Sequence, residues 1–379
     1  MDFRLTEEQE LIRASAREFT QKYLEPIAAE LDEESRYPAD VMAKLAEMDW
    51  LGIPYPTEYG GAGSDYLTFA IVIEEISRAC ASTGFTVSAT TGLVLTPIFQ
   101  YGNEEQKKKF MIPLCKGEKV GAFALTEPGA GTDPGSATTS AVLEGDEYVI
   151  NGTKTFVSNG PLADIFVVIA VTDKTKGARG MSAFVVPKEA GGITVGKHFK
   201  KMGLRASQTS EVFFKDCRIP KENLLGQEGQ GFRIAMQALD TGRIGIAAQA
   251  VGILQAALDE STSFAKERVQ FGKPISTNQA IQWMLVDMAT DLQAARFLTY
   301  YAAFCKDQGQ SASKEAAMAK LFASEAVSRH TSKAVQIHGG IGYMKGTKVE
   351  RLMRDAKITE IYEGTSEAQR MVIAGAMLR

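Results

Sequence analysis

Cysteine and histidine are scarce in this chain, with four Cys and three His among 379 residues. Cys80, Cys115, Cys217 and Cys305 lie far apart and form no C-x-x-C pair, which argues against a disulfide framework and against a thiol redox motif. They read as reduced, structural thiols. His198, His330 and His338 show no H-x-H or H-E-x-x-H spacing, so no metal site is expected. No run of about eighteen uninterrupted apolar residues occurs, which removes a membrane span. A sustained basic block is also missing: 42 Lys and Arg are scattered against 46 Asp and Glu, for a net charge of -4. That distribution speaks against a nucleic-acid partner. The opening residues Met1 to Glu8 carry neither an apolar signal core nor an Arg-rich transit pattern, so a cytoplasmic, bacterial location is expected. Asn151-Gly152-Thr153 matches a glycosylation acceptor, but no secretory signal accompanies it.

What is present is apolar content of 45%, enough over this length to bury cores for two or three domains. Helical spacing runs from Thr6 to about Lys116, through Leu11, Ala14, Phe19 and Tyr23, then Val41, Leu45 and Met48, then Phe69, Val72, Ile73 and Ile76. Thr6 with Gln9 predicts a capping box at its start. Pro54, Pro56 and Gly60 to Gly63 predict a loop. Near Val120 the texture changes to strand-like runs at 149–157, 165–171, 181–186, 193–196 and 211–214, and Asn151-Gly152 predicts a hairpin turn. From Gly231 helical periodicity returns, with Ile234, Leu239, Ile246, Ala250, Val251, Leu254 and Leu258 on one face. Breaks fall at 271–274, 307–310 and 338–346. The plan is α+β: a helical domain over 1–119, a β-domain over 120–228 and a helical bundle over 229–379.

The segment Ile361-Tyr362-Glu363-Gly364-Thr365-Ser366-Glu367 places a lone carboxylate between apolar residues and a glycine. Ser366 with Gln369 fits a capping box, so a helix should begin there and leave Glu363 just outside its N-terminus. Two readings are open from these residues alone. An exposed Glu at that place is favoured by the helix dipole and needs no further role. A Glu pressed into an apolar wall has its ionised form disfavoured, which brings its pKa toward the working pH and makes it a useful base.

Other segments bear on the choice. Ala124 to Thr132 joins a strand to a loop in which Gly129 and Gly131 permit close approach of a ligand and Thr126 and Thr132 offer hydroxyls. On its own this is a weak signal, being neither G-x-G-x-x-G nor a P-loop. Phe156-Val157-Ser158-Asn159-Gly160, Asp240-Thr241-Gly242-Arg243, Arg268 to Ile275 and Gln336-Ile337-His338-Gly339-Gly340 follow in order. With these six ordered motifs in a helix–sheet–helix plan, the chain resembles the acyl-CoA dehydrogenase family along its whole length, and within it the short-chain, butyryl-CoA dehydrogenase-like branch.

The resemblance implies that the middle domain is β-barrel-like and that FAD lies between it and the C-terminal four-helix bundle. Phe123, Leu125, Thr126, Gly131 and Thr132 correspond to the family's flavin-binding stretch, with Thr126 at the pyrimidine end of the ring and Thr132 also touching the substrate's CoA portion. Phe156 and Ser158 correspond to the stretch beside the reactive edge of the flavin. There the family more often has Trp or Phe, Ile, Thr, so Ser158 keeps a hydroxyl and loses a methyl. Asp240 and Arg243 resemble the pair that holds CoA, where residues alone would allow a surface ion pair. Arg268, Gln270, Phe271 and Gln279 resemble contacts to the adenosine pyrophosphate end of FAD, joined by Gln336, Gly339 and Gly340. Thr365 and Glu367 are counted with the flavin contacts and Gly364 with the substrate contacts. Several of these contacts cross subunits in the family, which implies a homotetramer built as a dimer of dimers. His338 stands where many relatives carry Phe and is expected to pack or to face the adenine, without a catalytic role.

The resemblance further implies the reaction: Glu363 removes the α-proton of an acyl-CoA, the β-hydrogen leaves as hydride, and electrons pass to an electron-transfer flavoprotein. The acyl pocket is expected around Ser88 to Pro97, shaped by Thr90, Thr91, Gly92 and Leu93. A short linear chain is favoured. A branched or alicyclic acyl group, such as a cyclohexanecarboxyl-CoA-like substrate, and an enoyl-CoA reductase running in reverse remain alternatives. A non-catalytic, CoA-binding relative is disfavoured because Glu363, Arg243 and the flavin segments are all kept.

Overall fold

A computed structural model describes residues 4–378. The polar start of the chain at Met1 to Phe3 therefore lies outside the described residues. The helices are α1 Glu7–Tyr23, α2 Ala28–Glu34, α3 Ala39–Glu47, α4 Tyr66–Ala79, α5 Ala81–Ala89, α6 Thr96–Tyr101, α7 Glu104–Gln106 and α8 Ile112–Cys115, followed after the strands by α9 Gly231–Glu267, α10 Gln279–Asp307, α11 Ser313–His338, α12 Lys348–Lys357 and α13 Ser366–Met377. The strands are β1 Gly121–Ala124, β2 Ser140–Glu144, β3 Glu147–Ser158, β4 Ile165–Val171, β5 Met181–Pro187, β6 Ile193–Val195, β7 Thr209–Pro220, β8 Leu224–Leu225, β9 Val269–Gln270 and β10 Lys273–Pro274. Among the described residues, β1 to β8 form one eight-stranded sheet in the order β6-β7-β3-β2-β4-β5-β8, with β1 parallel to β4. No described helix is long and apolar enough to cross a membrane.

Thr6 accepts from the Gln9 N–H while the Gln9 side chain reaches back, so the predicted capping box starts α1. Its buried face differs from the expected one. Ile12, Ala16, Phe19 and Tyr23 pack inward, while Leu11 is 69% exposed and Ala14 points outward. The shift by one position is what a 3.6-residue period does when the packing stripe runs through residue 12. The other two expected stripes fare unequally: Phe69, Val72, Ile73 and Ile76 are fully buried, whereas Met48 lies beyond the end of α3 and is exposed.

The expected turn at Asn151-Gly152 is not a turn. Both residues lie inside β3, and the chain reverses instead at Gly145-Asp146, where Glu144 pairs with Glu147. At residues 151–152 the β3 register against β7 shifts, and Asp216 donates its N–H to the Asn151 side chain at 2.8 Å. A Cβ at Gly152 would stand 2.5 Å from the Thr139 hydroxyl, so the glycine serves close approach inside a bulge. The local dipeptide signal lost to sheet packing. Strand β7 also extends well past the expected 211–214, as the partner of the whole length of β3.

In the C-terminal part α9, α10 and α11 pack along one another, and α12 and α13 lie against α11. A core shared by α4, α5, α9, α10 and α11 links the first and last thirds of the chain. A second apolar cluster joins α6, α8 and the start of α9 to one face of the sheet, and a third fills the other face. Polar ties cross the same junctions. Glu74 of α4 accepts from Arg296 of α10 at 2.7 Å and from the Tyr300 hydroxyl at 2.9 Å. These packings bring the loop after β1, the turn after β3, the middle of α9 and the start of α13 to one place.

Candidate active site

A single cavity of about 1030 Å³ lies at that meeting point. From the sheet it is lined by Phe123, Leu125, Thr126, Gly131, Thr132, Phe156 and Ser158. Arg243 of α9 and Glu363, Gly364 and Thr365 before α13 line the other side, and Phe85, Ala89 and Leu93 close it from the N-terminal helices. Segments separated by more than two hundred residues thus share one wall.

Glu363 is held in an unusual backbone. Its φ is 52° and that of Gly364 is 98°, two left-handed residues in succession. For a residue with a Cβ this costs about 1 kcal/mol or more and persists only when the surroundings fix it. Three bonds do so here. The Gln369 side chain donates to the Glu363 carbonyl at 3.3 Å and to the Gly364 carbonyl at 2.8 Å, and Lys320 of α11 donates to the Gly364 carbonyl at 2.6 Å. Tyr362 anchors the preceding residue, with its ring 4.7 Å from that of Phe85 and its hydroxyl bonded to Gln249. The helix does begin at Ser366, but the cap is Thr365, whose hydroxyl accepts from the Ala368 N–H at 3.2 Å. Gln369 is occupied with carbonyls outside the helix, so the expected Ser366–Gln369 box does not form.

The Glu363 residue as a whole is partly accessible, yet both carboxylate oxygens are inaccessible, and among the described residues neither has a hydrogen-bond partner. Burial pushes this carboxyl up to about 8, against the opposing pull of the Lys320 and Arg243 charges. The decoration reading, which requires an exposed carboxylate, fails.

Space for that carboxylate is made by glycine. A Cβ at Gly242 on α9 would lie 1.9 Å from Glu363 Oε2, and one at Gly92 would stand 3.1 Å from the Gly242 Cα. Gly92 sits in a π-helical stretch, Thr90–Leu95, a distortion common near functional sites. Gly242 lies inside the Asp240–Arg243 motif without a role assigned to it there, and Lys320 is marked by no local motif; both roles emerge only from packing. In Gly242→Ala the Glu363 carboxylate must move, and a displacement near 1 Å should lower kcat by roughly 10- to 100-fold. The clash in a packed interior costs about 1–3 kcal/mol and outweighs the roughly 0.5–1 kcal/mol that Ala gains over Gly in a helix, so thermal stability should fall modestly. Steady-state kinetics beside a melting curve checks this.

Arg243 is only 5% exposed and is bonded at 2.7 Å to Asp240, which also accepts from Ser313 at 3.0 Å. The guanidinium is buried and the Asp240 carboxylate half-buried, so this is not a solvated surface pair. Asp240 does not line the cavity; it holds the guanidinium that does. Thr90, Thr91 and Gly92 also lie behind the wall: Thr90 and Thr91 donate to the carbonyls of Thr86 and Leu51, and only Leu93 of that set reaches the cavity. Of the residues expected around the acyl group, Leu93 lines the cavity with Phe85 and Ala89, while the hydroxyls of Thr90 and Thr91 are satisfied within the protein.

The remaining flavin candidates are not brought to the cavity. Arg268 and Gln270 are exposed beside a tight β9–β10 turn whose central Phe271 and Gly272 have φ of 51° and 76°. Phe271 is fully exposed. Gln279 starts α10, and Gln336, Gly339 and Gly340 end α11, all exposed. His338 stacks on Phe264 at 4.3 Å, the packing role expected of it, and so brings the ends of α9 and α11 together. Glu367 is exposed on the first turn of α13.

Below the sheet side of the cavity, Lys154 and Glu127 form a buried pair at 2.8 Å. Glu127 also accepts from the Thr138 N–H at 2.7 Å, the Thr138 hydroxyl at 2.9 Å and the Thr139 N–H at 2.9 Å, while Lys154 donates to the Leu125 carbonyl at 2.9 Å. Burial alone would raise the Glu127 carboxyl, but Lys154 and these donors hold it down at about 2. The pair fixes the loop that carries Leu125, Thr126 and Gly131.

Three structural parts thus converge on one large cavity whose wall holds the unpartnered Glu363 carboxylate. The family models for the acyl-CoA dehydrogenase N-terminal, middle and C-terminal domains match residues 6–118, 122–217 and 229–378. The chain belongs to the acyl-CoA dehydrogenase family and is an oxidoreductase. It is 52% identical over 379 residues to a short-chain specific acyl-CoA dehydrogenase of Clostridium acetobutylicum, covering 100% of both chains. The structure of butyryl-CoA dehydrogenase from Megasphaera elsdenii matches with a TM-score of 0.98 at 46% identity, again over 100% of each chain. A chain solved in work on the electron transferring flavoprotein of Acidaminococcus fermentans and flavin-based electron bifurcation matches with a TM-score of 0.99 at 50% identity, also over 100% of each.

Proposed function

We propose that the protein dehydrogenates a short-chain acyl-CoA to the 2-enoyl-CoA, with Glu363 as the base that takes the α-proton. The observation that carries this is the Glu363 carboxylate, buried and without donors at the wall of a cavity large enough for a cofactor and a thioester together. The similarity to short-chain and butyryl-CoA enzymes supports the substrate class.

The cavity's sheet side fits FAD. Phe123, Leu125 and Phe156 offer apolar faces to a flat ring, and the hydroxyls of Thr126, Thr132 and Ser158 can bond its polar edge. A Cβ at Gly131 would meet nothing within 4 Å, which leaves the loop open to a close ligand. FAD, when bound there, supplies the hydride acceptor. This chain's own residues do the rest. Glu363 removes the α-proton, the backbone around Glu363 and Gly364 holds the thioester carbonyl through N–H donors, and Arg243, oriented by Asp240, anchors CoA. Phe85, Leu93 and Tyr362 keep water from the acyl end.

Arg268, Gln270, Phe271, Gln279, Gln336, Gly339 and Gly340 are exposed and do not line their own cavity, so in this reading they meet the FAD of a second copy, whereas Glu367 stands beside the cavity-lining Thr365 and Ala368. A homotetramer arranged as a dimer of dimers supplies such copies, and the exposed Trp283, Val286 and Tyr301 of α10 give it apolar surface to cover. Electron-transfer flavoprotein is the partner that takes the reducing equivalents, a reading supported by the Acidaminococcus match. Anaerobic titration of the purified protein with linear, branched and cyclic acyl-CoAs tests the proposal. The visible flavin band should bleach, and most completely with a short linear chain. A colourless protein, or no bleaching with any thioester, defeats it.

A further inference from the structure

Lys320 lies in the middle of α11, fully buried, on a helix whose neighbouring Ala316, Ala317, Ala319 and Ala323 are buried too. An ammonium in such surroundings is expensive unless a specific partner compensates it. Its Nζ donates to the carbonyl of Gly364, the residue after the base, at 2.6 Å. The same carbonyl accepts from Gln369, so the left-handed Glu363–Gly364 turn is pinned from α11 and from α13 at once. Lys320 is also the foremost positive charge acting on Glu363, ahead of Arg243 of α9. Arg243 is already bonded to Asp240, which leaves Lys320 as the cation committed to the turn itself.

We propose that Lys320 is a positioning residue for the base: its bond to the Gly364 carbonyl holds the strained turn, and its buried charge is the one against which Glu363 ionises. The inference rests on the reading of Glu363 as the base. Beyond Glu363, the charges facing Lys320 are Arg243 from α9, Glu360 from the turn after α12 and Glu367 from α13, and Tyr362 adjoins the carboxylate. Burial brings Lys320 down to about 8, against the pull of the Glu363 charge, so at neutral pH it still carries its proton. A purely structural lysine would affect folding and leave the pH dependence of catalysis unchanged.

The test is the pH profile of acyl-CoA-driven flavin bleaching in the FAD-loaded enzyme, for wild type, Lys320→Met, Lys320→Gln and Glu363→Gln. In Lys320→Met the acidic limb should move to higher pH, with a loss of roughly tenfold at neutral pH for each unit of displacement and recovery in alkaline buffer. Lys320→Gln keeps an amide donor for the Gly364 carbonyl and loses only the charge, so the limb should move there too, with a smaller fall in the limiting rate. If Lys320→Met does not accumulate with flavin, Lys320→Gln carries the same expectation. An unmoved limb in a flavin-loaded Lys320 variant, beside an inactive Glu363→Gln, removes the role of Lys320 alone. Bleaching retained in Glu363→Gln removes the base reading itself.

Discussion

In Glu363→Gln, butyryl-CoA added without oxygen should leave the flavin oxidised, with the bleaching rate down by about 10³-fold or more, near the upper range for loss of a general base. Flavin should remain bound, because the sheet-side residues that fit it are untouched. The wild-type pH profile follows from the same group. A base that titrates at about 8 is protonated and idle below that pH, so kcat/KM should fall as pH drops through 8. Stability runs the other way. The folded value lies above the ordinary 4.5, so the contribution of this group is present in full below pH 4.5 and is lost as pH rises through about 8. Glu363→Gln removes that loss. The variant should therefore be more stable than wild type at pH 8 to 9, by on the order of 2 kcal/mol, a figure discounted because the positive charges of Lys320 and Arg243 offset part of the burial cost. An inactive variant that is more stable at high pH is the signature of a carboxylate buried for chemistry. Equal stability of the two proteins at both pH 5 and pH 9 would show that the carboxylate is solvated.

Lys154→Met should be the most destabilising change at the cavity. It leaves Glu127 buried at 5% exposure with a negative charge and no counter-ion, a loss of about 3–5 kcal/mol. Glu127→Gln should cost a similar amount by leaving Lys154 unpaired at 0% exposure. The double variant should be less damaged than the sum of the two, because neither charge is then left alone. The loss should also reach the cofactor, since the pair fixes the loop carrying Thr126 and Gly131. Thermal melts followed by flavin fluorescence would report both effects, with release of flavin at lower temperature in each single variant. Additive effects in the double variant would show that the two charges do not act as a pair.

Much of this molecule was legible along the chain. The helix–sheet–helix order follows from where the apolar period changes, and the breaks after α9, α10 and α11 follow from glycine, proline and polar clusters. The Thr6–Gln9 box was readable because capping is decided within four residues. The Ser366–Gln369 box failed for a tertiary reason: Gln369 is drawn to the carbonyls of the strained turn, and Thr365 takes over the cap. Asn151-Gly152 misled in the same way, because a bulge against β7 and contact with Thr139 outweigh a dipeptide preference.

By itself the sequence determined which side chains could carry the chemistry: a lone carboxylate beside a glycine, an arginine one helical turn from an aspartate, and hydroxyls on a loop after a strand. Local spacing and residue type suffice for that. Only the tertiary structure decided that Glu363 is buried without a donor, that Gly242 and Gly92 open the space it occupies, and that Lys320 grips its turn. It also separated the cavity group from the exposed Arg268 and Gln336 group. Those facts depend on contacts between segments far apart in the chain, and desolvation, the cause of the raised Glu363 value, exists only once such segments have packed.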